Sequence, residues 1–306
     1  MFRHIAGRLL WAVPVLLGVS VIVFGLLKLI PGDAAQVMAG TDATAADVEA
    51  IRQQLGLDRP VYVQYVRWLG RLSRLDLGRS AVTHRPVVYE IASRIPPTAE
   101  LAAAAMALAV ALGLAMGVAA STHQHSIWDV TASLAAAVGV SMPIFWLGLM
   151  LMMIFSVGLR WLPSTGAGTF AQLVLPALTL GSTSMAIIAR QARSAMLEVL
   201  QQDYLRTARA KGVTRWVVVM RHGFRNAVIP IVTVVGLQLG YLLSGTVLTE
   251  TVFARPGLGR LIVDSIRSRD VAVVQSAVMV LSVTFIVVNL AVDVLYAYLD
   301  PRIRFD

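Results

Sequence analysis

The stretch DYLRTARAKGVTRW, Asp203–Trp216, gathers Arg206, Arg209, Lys211 and Arg215 within a few residues and breaks at Gly212. On either side the chain changes character. Trp161–Ala189 upstream and Asn226–Thr249 downstream contain no Asp, Glu, Lys or Arg. Runs of that kind recur at Leu9–Leu27, Leu101–Trp128, Val130–Leu159 and Val271–Val292. Each supplies the roughly 20 residues needed to cross a hydrocarbon core about 30 Å thick. In lipid an open strand would leave its backbone groups unpaired, so the runs are read as helices. The expected fold is an all-α integral membrane protein with six transmembrane helices.

Composition supports this class. Apolar residues make up 57% of the 306-residue chain and charged residues only 14%, against about a quarter in a soluble domain. The net charge of +9 is explained by basic membrane loops and calls for membrane lipid rather than nucleic acid. Cysteine is absent, which excludes a disulfide framework and a cysteine metal site. The first apolar run is longer than a signal-peptide core and has no small-residue cleavage site after it, so a retained anchor is expected, with Lys28 reaching the headgroups.

Loop charges set the expected orientation. With the N-terminus inside, twelve Lys or Arg fall in the inner segments and five in the two short outer loops, Arg160 among the latter. The eight arginines of Pro31–Pro97 are poor witnesses, because long loops cross largely regardless of charge. Both termini and the opening stretch are therefore expected on the cytoplasmic side. Segments follow: a first helix at 1–30, an outer insert at 31–97, and a five-helix core at 98–306 carrying a cytoplasmic loop at 191–225. Within the insert, Thr44 and Asp47 form a capping-box pattern for a helix ending at Gly56. A second helix over Val61–Ser73 is expected to cluster Tyr62, Tyr65, Val66 and Leu69 opposite Arg67, Arg71 and Arg74. Pro143 and Pro176 mark possible kinks in the third and fourth spans.

Catalytic signatures are missing. There is no phosphate-binding loop motif, no H-E-x-x-H and no G-x-S-x-G, and the five histidines lie outside the charge-free runs' interiors or at their loop ends. The chain is read as non-catalytic, with no cofactor or metal of its own. The basic stretch instead reads as a short helix closed by a left-handed Gly212. Tyr204, Thr207, Ala208 and Lys211 are expected on one face, and Thr214 as the cap of the next turn. Small alanines at 208 and 210 suit a helix that enters another protein's groove, whereas a lipid-binding topology signal needs only the charge.

"DYLRTARAKGV" followed by "RHGFRNAVIP" resembles the cytoplasmic EAA-type loop in permease subunits of ABC importers, closest to the dipeptide, oligopeptide and glutathione branch. "LIPGD" at Leu29–Asp33, "QLGLDRP" at Gln54–Pro60, "DLGRS" at Asp76–Ser80, "FARPGLGRL" at Phe253–Leu261 and "DVLYAYLDPRIRF" at Asp293–Phe305 extend the resemblance along the chain. Arg206-Thr207-Ala208 stands where the family's usual glutamate-alanine-alanine begins, a variation similar to that of the peptide branch. The resemblance implies a type I importer permease fold in a bacterial inner membrane. It implies that Asp203, Tyr204, Arg206, Thr207, Ala208, Ala210, Lys211 and Gly212 couple to an ATPase, with His222, Arg225 and Asn226 supporting the loop. Implied partners are a second homologous permease, two ABC ATPase subunits that use ATP and Mg, and an extracytoplasmic substrate-binding protein. The cargo would be a dipeptide, an oligopeptide or glutathione, or alternatively a nickel chelate. An ion-coupled secondary transporter or channel is the rival class, but such proteins commonly carry inverted repeats and none is visible here.

Overall fold

Met142 and Pro143 carry the sharpest break in the membrane-facing part of the chain. The computed structural model describes residues 2–29, 34–39 and 43–299, so most of "LIPGD" and the expected stop at Asp300-Pro301 lie outside the described residues. In chain order the helices are α1 Phe2–Leu29, α2 Ala34–Ala39, α3 Ala45–Leu55, α4 Val61–Leu72, α5 Val87–Thr122, α6 Ile127–Ser141 and α7 Ile144–Leu151, which continues as a π-helical segment Met152–Gly158. Then come α8 Phe170–Leu200, α9 Asp203–Ala210, α10 Arg215–Val217 with a π-helical segment Val218–Phe224, α11 Arg225–Val252, α12 Leu258–Arg267 and α13 Val271–Leu299. No strand occurs among the described residues, only an isolated antiparallel bridge between Arg79 and Pro86.

Five helical stretches are long and apolar enough to cross a membrane: Ala6–Leu29, Val87–Thr122, Phe170–Leu200, Arg215–Val252 and Val271–Val294. The third expected span departs from a single rod. It is a pair, Ile127–Ser141 and Ile144–Gly158, bent by 114°. The residue before a proline is pushed out of the helical region, and Met142 is extended at φ −82°, ψ 132°. Pro176 makes no such break. It sits buried within α8, where surrounding side chains hold the helix through the lost hydrogen bond. The bent pair nonetheless follows α8 from Arg193 to Thr179. Asp129 pairs with Arg193, a Cβ on Gly139 would lie 3.3 Å from Ala186 Cβ and Ser182 O, and one on Gly148 would lie 3.2 Å from Thr179 Cγ2.

Two compact units emerge among the described residues, one formed by 99–255 with 288–299, the other by 2–98 and 256–287. These units cut the chain differently from the sequence segments 1–30, 31–97 and 98–306. In the first, small residues let helices touch backbone to backbone. A Cβ on Gly113 would lie 2.8 Å from Met185 O, and one on Gly181 2.7 Å from Ala105 O. Leu101, Ala105, Leu173, Leu180 and Leu242 form the core of this three-helix contact between α5, α8 and α11. Arg255, one of the five arginines counted in the short outer loops, is fully buried and hydrogen-bonds Glu100 at the start of the apolar part of α5.

The second unit begins α5 earlier than the expected start after Pro97. The helix already runs at Val87 and continues through Pro96 and Pro97. Val87 and Ile91 are buried against Leu258, Ile262, Val273 and Ala277, and this packing outweighs the two missing amide donors. Ser80 donates to the buried Asp270 carboxylate, which ties the "DLGRS" segment to the start of α13. The capping box is present: Thr44 Oγ1 accepts from Asp47 N at 3.3 Å, Thr44 N donates to Asp47 at 3.0 Å, and Gly56 closes α3 at φ +68°. The α4 face differs from expectation. Tyr62 and Val66 are exposed, while Trp68 is buried beside Phe24 and Tyr65. Tyr65 and Trp68 form the inward stripe because Ser20 shares a 2.8 Å hydrogen bond with the Tyr65 hydroxyl. Lys28, expected among headgroups, donates to Gln64 Oε1 at 2.6 Å.

Candidate functional site

α8 ends at Leu200, and Gln202 turns the chain with an extended backbone at φ −69°, ψ 145° into α9. The C-terminus of α9 is closed by two bonds. Gly212 N donates to Arg209 O at 3.0 Å and Val213 N donates to Ala208 O at 3.2 Å. Together with φ +77° at Gly212, this is a Schellman motif, in which the left-handed residue lets two orphan carbonyls be satisfied. A Cβ at Gly212 would meet nothing within 4 Å, so glycine is required there by conformation and not by space.

One residue not singled out in the sequence reading anchors α9. Leu205 is fully buried. It is the only large aliphatic side chain in DYLRTARA, and that isolation was the available signal. On the same side, Asn226 Nδ2 donates to the Tyr204 hydroxyl at 2.8 Å and to His222 O at 2.9 Å, and the Tyr204 hydroxyl lies 3.4 Å from the same carbonyl. His222 thus contributes its backbone to the support. Arg225 follows at the start of α11, exposed. Beneath lies a core of Ala192, Ala195, Met196, Val219, Ala227 and Ile231, into which Gly223 fits close to Met196 and Leu200.

The free face of α9 therefore differs from the expected one. Tyr204 is held by Asn226 and Ala208 is half-buried, whereas Asp203, Arg206, Thr207, Ala210 and Lys211 are exposed. Helical spacing explains it: residues at i, i+3, i+4 and i+7 share one face, and burying Leu205 turns Asp203, Arg206, Thr207 and Ala210 outward. Arg206 lies 3.5 Å from Asp203, both highly exposed, a pairing of little energetic weight. Thr214 precedes α10 without a side-chain cap bond. The turn after Gly212 is instead the first turn of a helix that runs on to Val252, the π-helical segment included. Among the described residues no group of three or more His, Cys, Asp or Glu side chains is placed to hold a metal.

Family models locate this arrangement. One, binding-protein-dependent transport system inner membrane component, matches residues 109–305, and a second, the N-terminal part of such membrane components, matches residues 1–102. This chain belongs to that permease family. The permease is 48% identical over 305 residues to the glutathione transport system permease protein GsiC of Salmonella paratyphi A, covering 100% of both chains. It is 46% identical to the protein of the same name from Escherichia coli K12, again over 100% of both. Its fold is similar to a chain of the inward-facing MetNI methionine ABC transporter, with TM-score 0.60, 19% identity, and coverage of 71% of this permease and 99% of that chain. A chain of an amino acid ABC transporter solved with histidines gives TM-score 0.52 at 17% identity, covering 71% and 95%. The permease is thus an all-helical ABC importer subunit, and its α8–α11 loop presents α9 as a capped, anchored helix with one polar face free.

Proposed function

We propose that this permease forms half of a pore that admits glutathione or short peptides to the cytoplasm, paired with a second, homologous permease. Two ATPase subunits dock beneath, one of them on the free face of α9. A binding protein delivers substrate from the other side, where residues 31–97 form an insert. Both termini face the cytoplasm, and residues 98–306 form the transporting core with its loop at 191–225. ATP and Mg are used by the ATPase partners alone. The observation that supports the substrate reading is that the likeness to glutathione permeases extends over the whole chain, insert included, and not over the membrane core alone. The free face supports the docking reading: charged and small side chains on a helix too short to stand alone, held rigidly by Leu205, Tyr204 and Asn226.

Deleting the gene for this chain and following uptake of radiolabelled glutathione and a labelled dipeptide tests the substrate, and co-purification of ATPase subunits in mild detergent tests the assembly. Loss of ATP-dependent uptake of glutathione, of the dipeptide or of both is the expected result. Unchanged uptake of both would end the substrate reading, and a permease purified without ATPase would end the docking reading.

A further inference from the structure

The turn between α5 and α6 is gripped from both flanks of α9. Upstream of α9, Arg193 on α8 makes a two-pronged contact with Asp129 on α6, Nε to Oδ1 at 2.7 Å and Nη2 to Oδ2 at 3.0 Å. Downstream of α9, Arg215 Nη2 donates to Thr122 O, the last residue of α5, at 2.6 Å. Both contacts suit their helix ends. Asp129 lies in the first turn of α6, where a carboxylate meets the positive end of the helix, and Arg215 meets an orphan carbonyl at the negative end of α5. Asp129 also accepts from His125 N at 3.2 Å, inside the turn itself.

Close packing surrounds these contacts. A Cβ on Gly117 would lie 2.5 Å from Ala189 O, so α5 is locked to α8 at this level. Beside it, a crevice of about 400 Å³ opens among Gly117, Ala120, Ala132, Ala136 and Arg193. Small side chains line this crevice between α6 and α8, and the Arg193–Asp129 pair bridges it. Asp129 is itself buried, while the Arg193 side chain is 35% exposed.

We propose that Arg193 and Arg215 are positioning residues that transmit movement of α9 to α5 and α6, so that a push on the docking helix shifts the turn His123–Ser126 and the spans attached to it. The inference rests on α9 being the ATPase-docking helix. A lever needs a stiff handle and fixed attachments: Leu205 and the Schellman motif stiffen α9, and the two arginines attach it on both sides to one short turn.

The test uses the complete importer, with both permeases and the ATPase subunits, reconstituted in liposomes. Variants are Arg193→Gln, Asp129→Asn, Arg215→Gln and the exchanged pair Asp129→Arg with Arg193→Asp. Glutathione imported per ATP hydrolysed is measured alongside the amount of ATPase that co-purifies. Each single variant is expected to keep its ATPase and hydrolyse ATP, while import per ATP falls about tenfold, within the ordinary range of coupling between sites. The exchanged pair should recover most of that loss, because it restores the interaction with the charges reversed. Unaltered import per ATP in complexes with intact ATPase would overturn the clamp alone. So would loss of the ATPase from the single variants, which makes the contacts a structural brace, or an exchanged pair no better than either single. A parent complex without ATPase would remove the docking reading and the clamp with it.

Discussion

Replacing Gly212 isolates backbone conformation from every other effect at α9, the proposed docking helix. At φ +77° a residue with a Cβ costs about 1–2 kcal/mol, and no neighbour within 4 Å adds a clash. That cost lowers the population of the capped α9 relative to frayed alternatives by roughly 5–30-fold. Gly212→Ala should stand at the lower end, Gly212→Val at or above the upper, since a β-branched side chain is least tolerant of positive φ. Gly212→Asn should lie nearest the parent, because asparagine visits the left-handed region readily. Gly78 supplies an internal control, for it has the same φ of +77° and likewise open space around it, but lies in the 31–97 segment. Gly78→Ala carries the same backbone strain and should leave ATPase association intact. ATPase co-purification and ATP hydrolysis of assembled complexes report the order Asn, Ala, Val. Equal behaviour of Gly212→Val and the parent, with both assembled, would refute the claim that the cap orients α9.

Gly117→Val should destabilise the permease by about 3 kcal/mol, the upper range for overpacking, because the clash is with Ala189 O and Ala192 Cβ and neither can swing away. Thermal unfolding in detergent checks this, with Gly18→Ala, where nothing lies within 4 Å, expected to be silent. The Asp47 carboxylate is held below its ordinary pKa by its hydrogen bonds to Thr44. A depressed folded-state value means that stabilisation is complete above the ordinary carboxylate range and fades as pH falls through it. Amide protection over residues 45–48 should therefore drop on acidification below about pH 4 in the parent and drop less in Thr44→Val, which keeps only the backbone bond from Thr44 N to Asp47. Gln201→Cys adds the only thiol to a cysteine-free chain. Impermeant thiol reagents should label it in inside-out vesicles but not in intact cells, and labelling from outside would reverse the orientation.

Features that depend on near neighbours in sequence were legible, and those that depend on distant partners were not. Thr44 and Asp47, Gly56, Gly212 and the charge-free runs all act over one or two helical turns, so spacing alone reveals them. Proline shows the limit. Pro143, Pro176 and the Pro96–Pro97 pair look alike as helix interruptions, yet only the first breaks its helix, because Pro176 and the first turns of α5 are held by tertiary packing. Arginine shows it again. Arg193, Arg215 and Arg255 read as loop charges, but their partners are Asp129, Thr122 and Glu100, at separations of 64, 93 and 155 residues. Within α9 the helix and its cap were visible, whereas the identity of its free face required knowing that Leu205 points inward.

The broken third span and the loop charges bear on one another. The contact ladder from Asp129–Arg193 through Gly139 to Gly148 traverses α8 from near its Leu200 end toward its Phe170 end. Such a ladder suits a pair that crosses the bilayer despite its bend. If the pair crosses, Lys and Arg in the short segments divide twelve to five. If it dipped in and returned, the same residues would divide ten to seven, because Arg160 and the four arginines at 255–269 would join the N-terminus while Arg190–Arg225 and the C-terminus moved to the other side. The rule that basic residues stay inside counts cations whether or not acids accompany them. Even so, discounting Arg193 and Arg255, which their carboxylates neutralise, leaves eleven to four. The crossing arrangement keeps the stronger asymmetry either way. It also places α9 on the side of both termini, as the proposed docking of an ATPase there requires, so the bend at Met142–Pro143 changes the path of the span without changing the side on which α9 is offered.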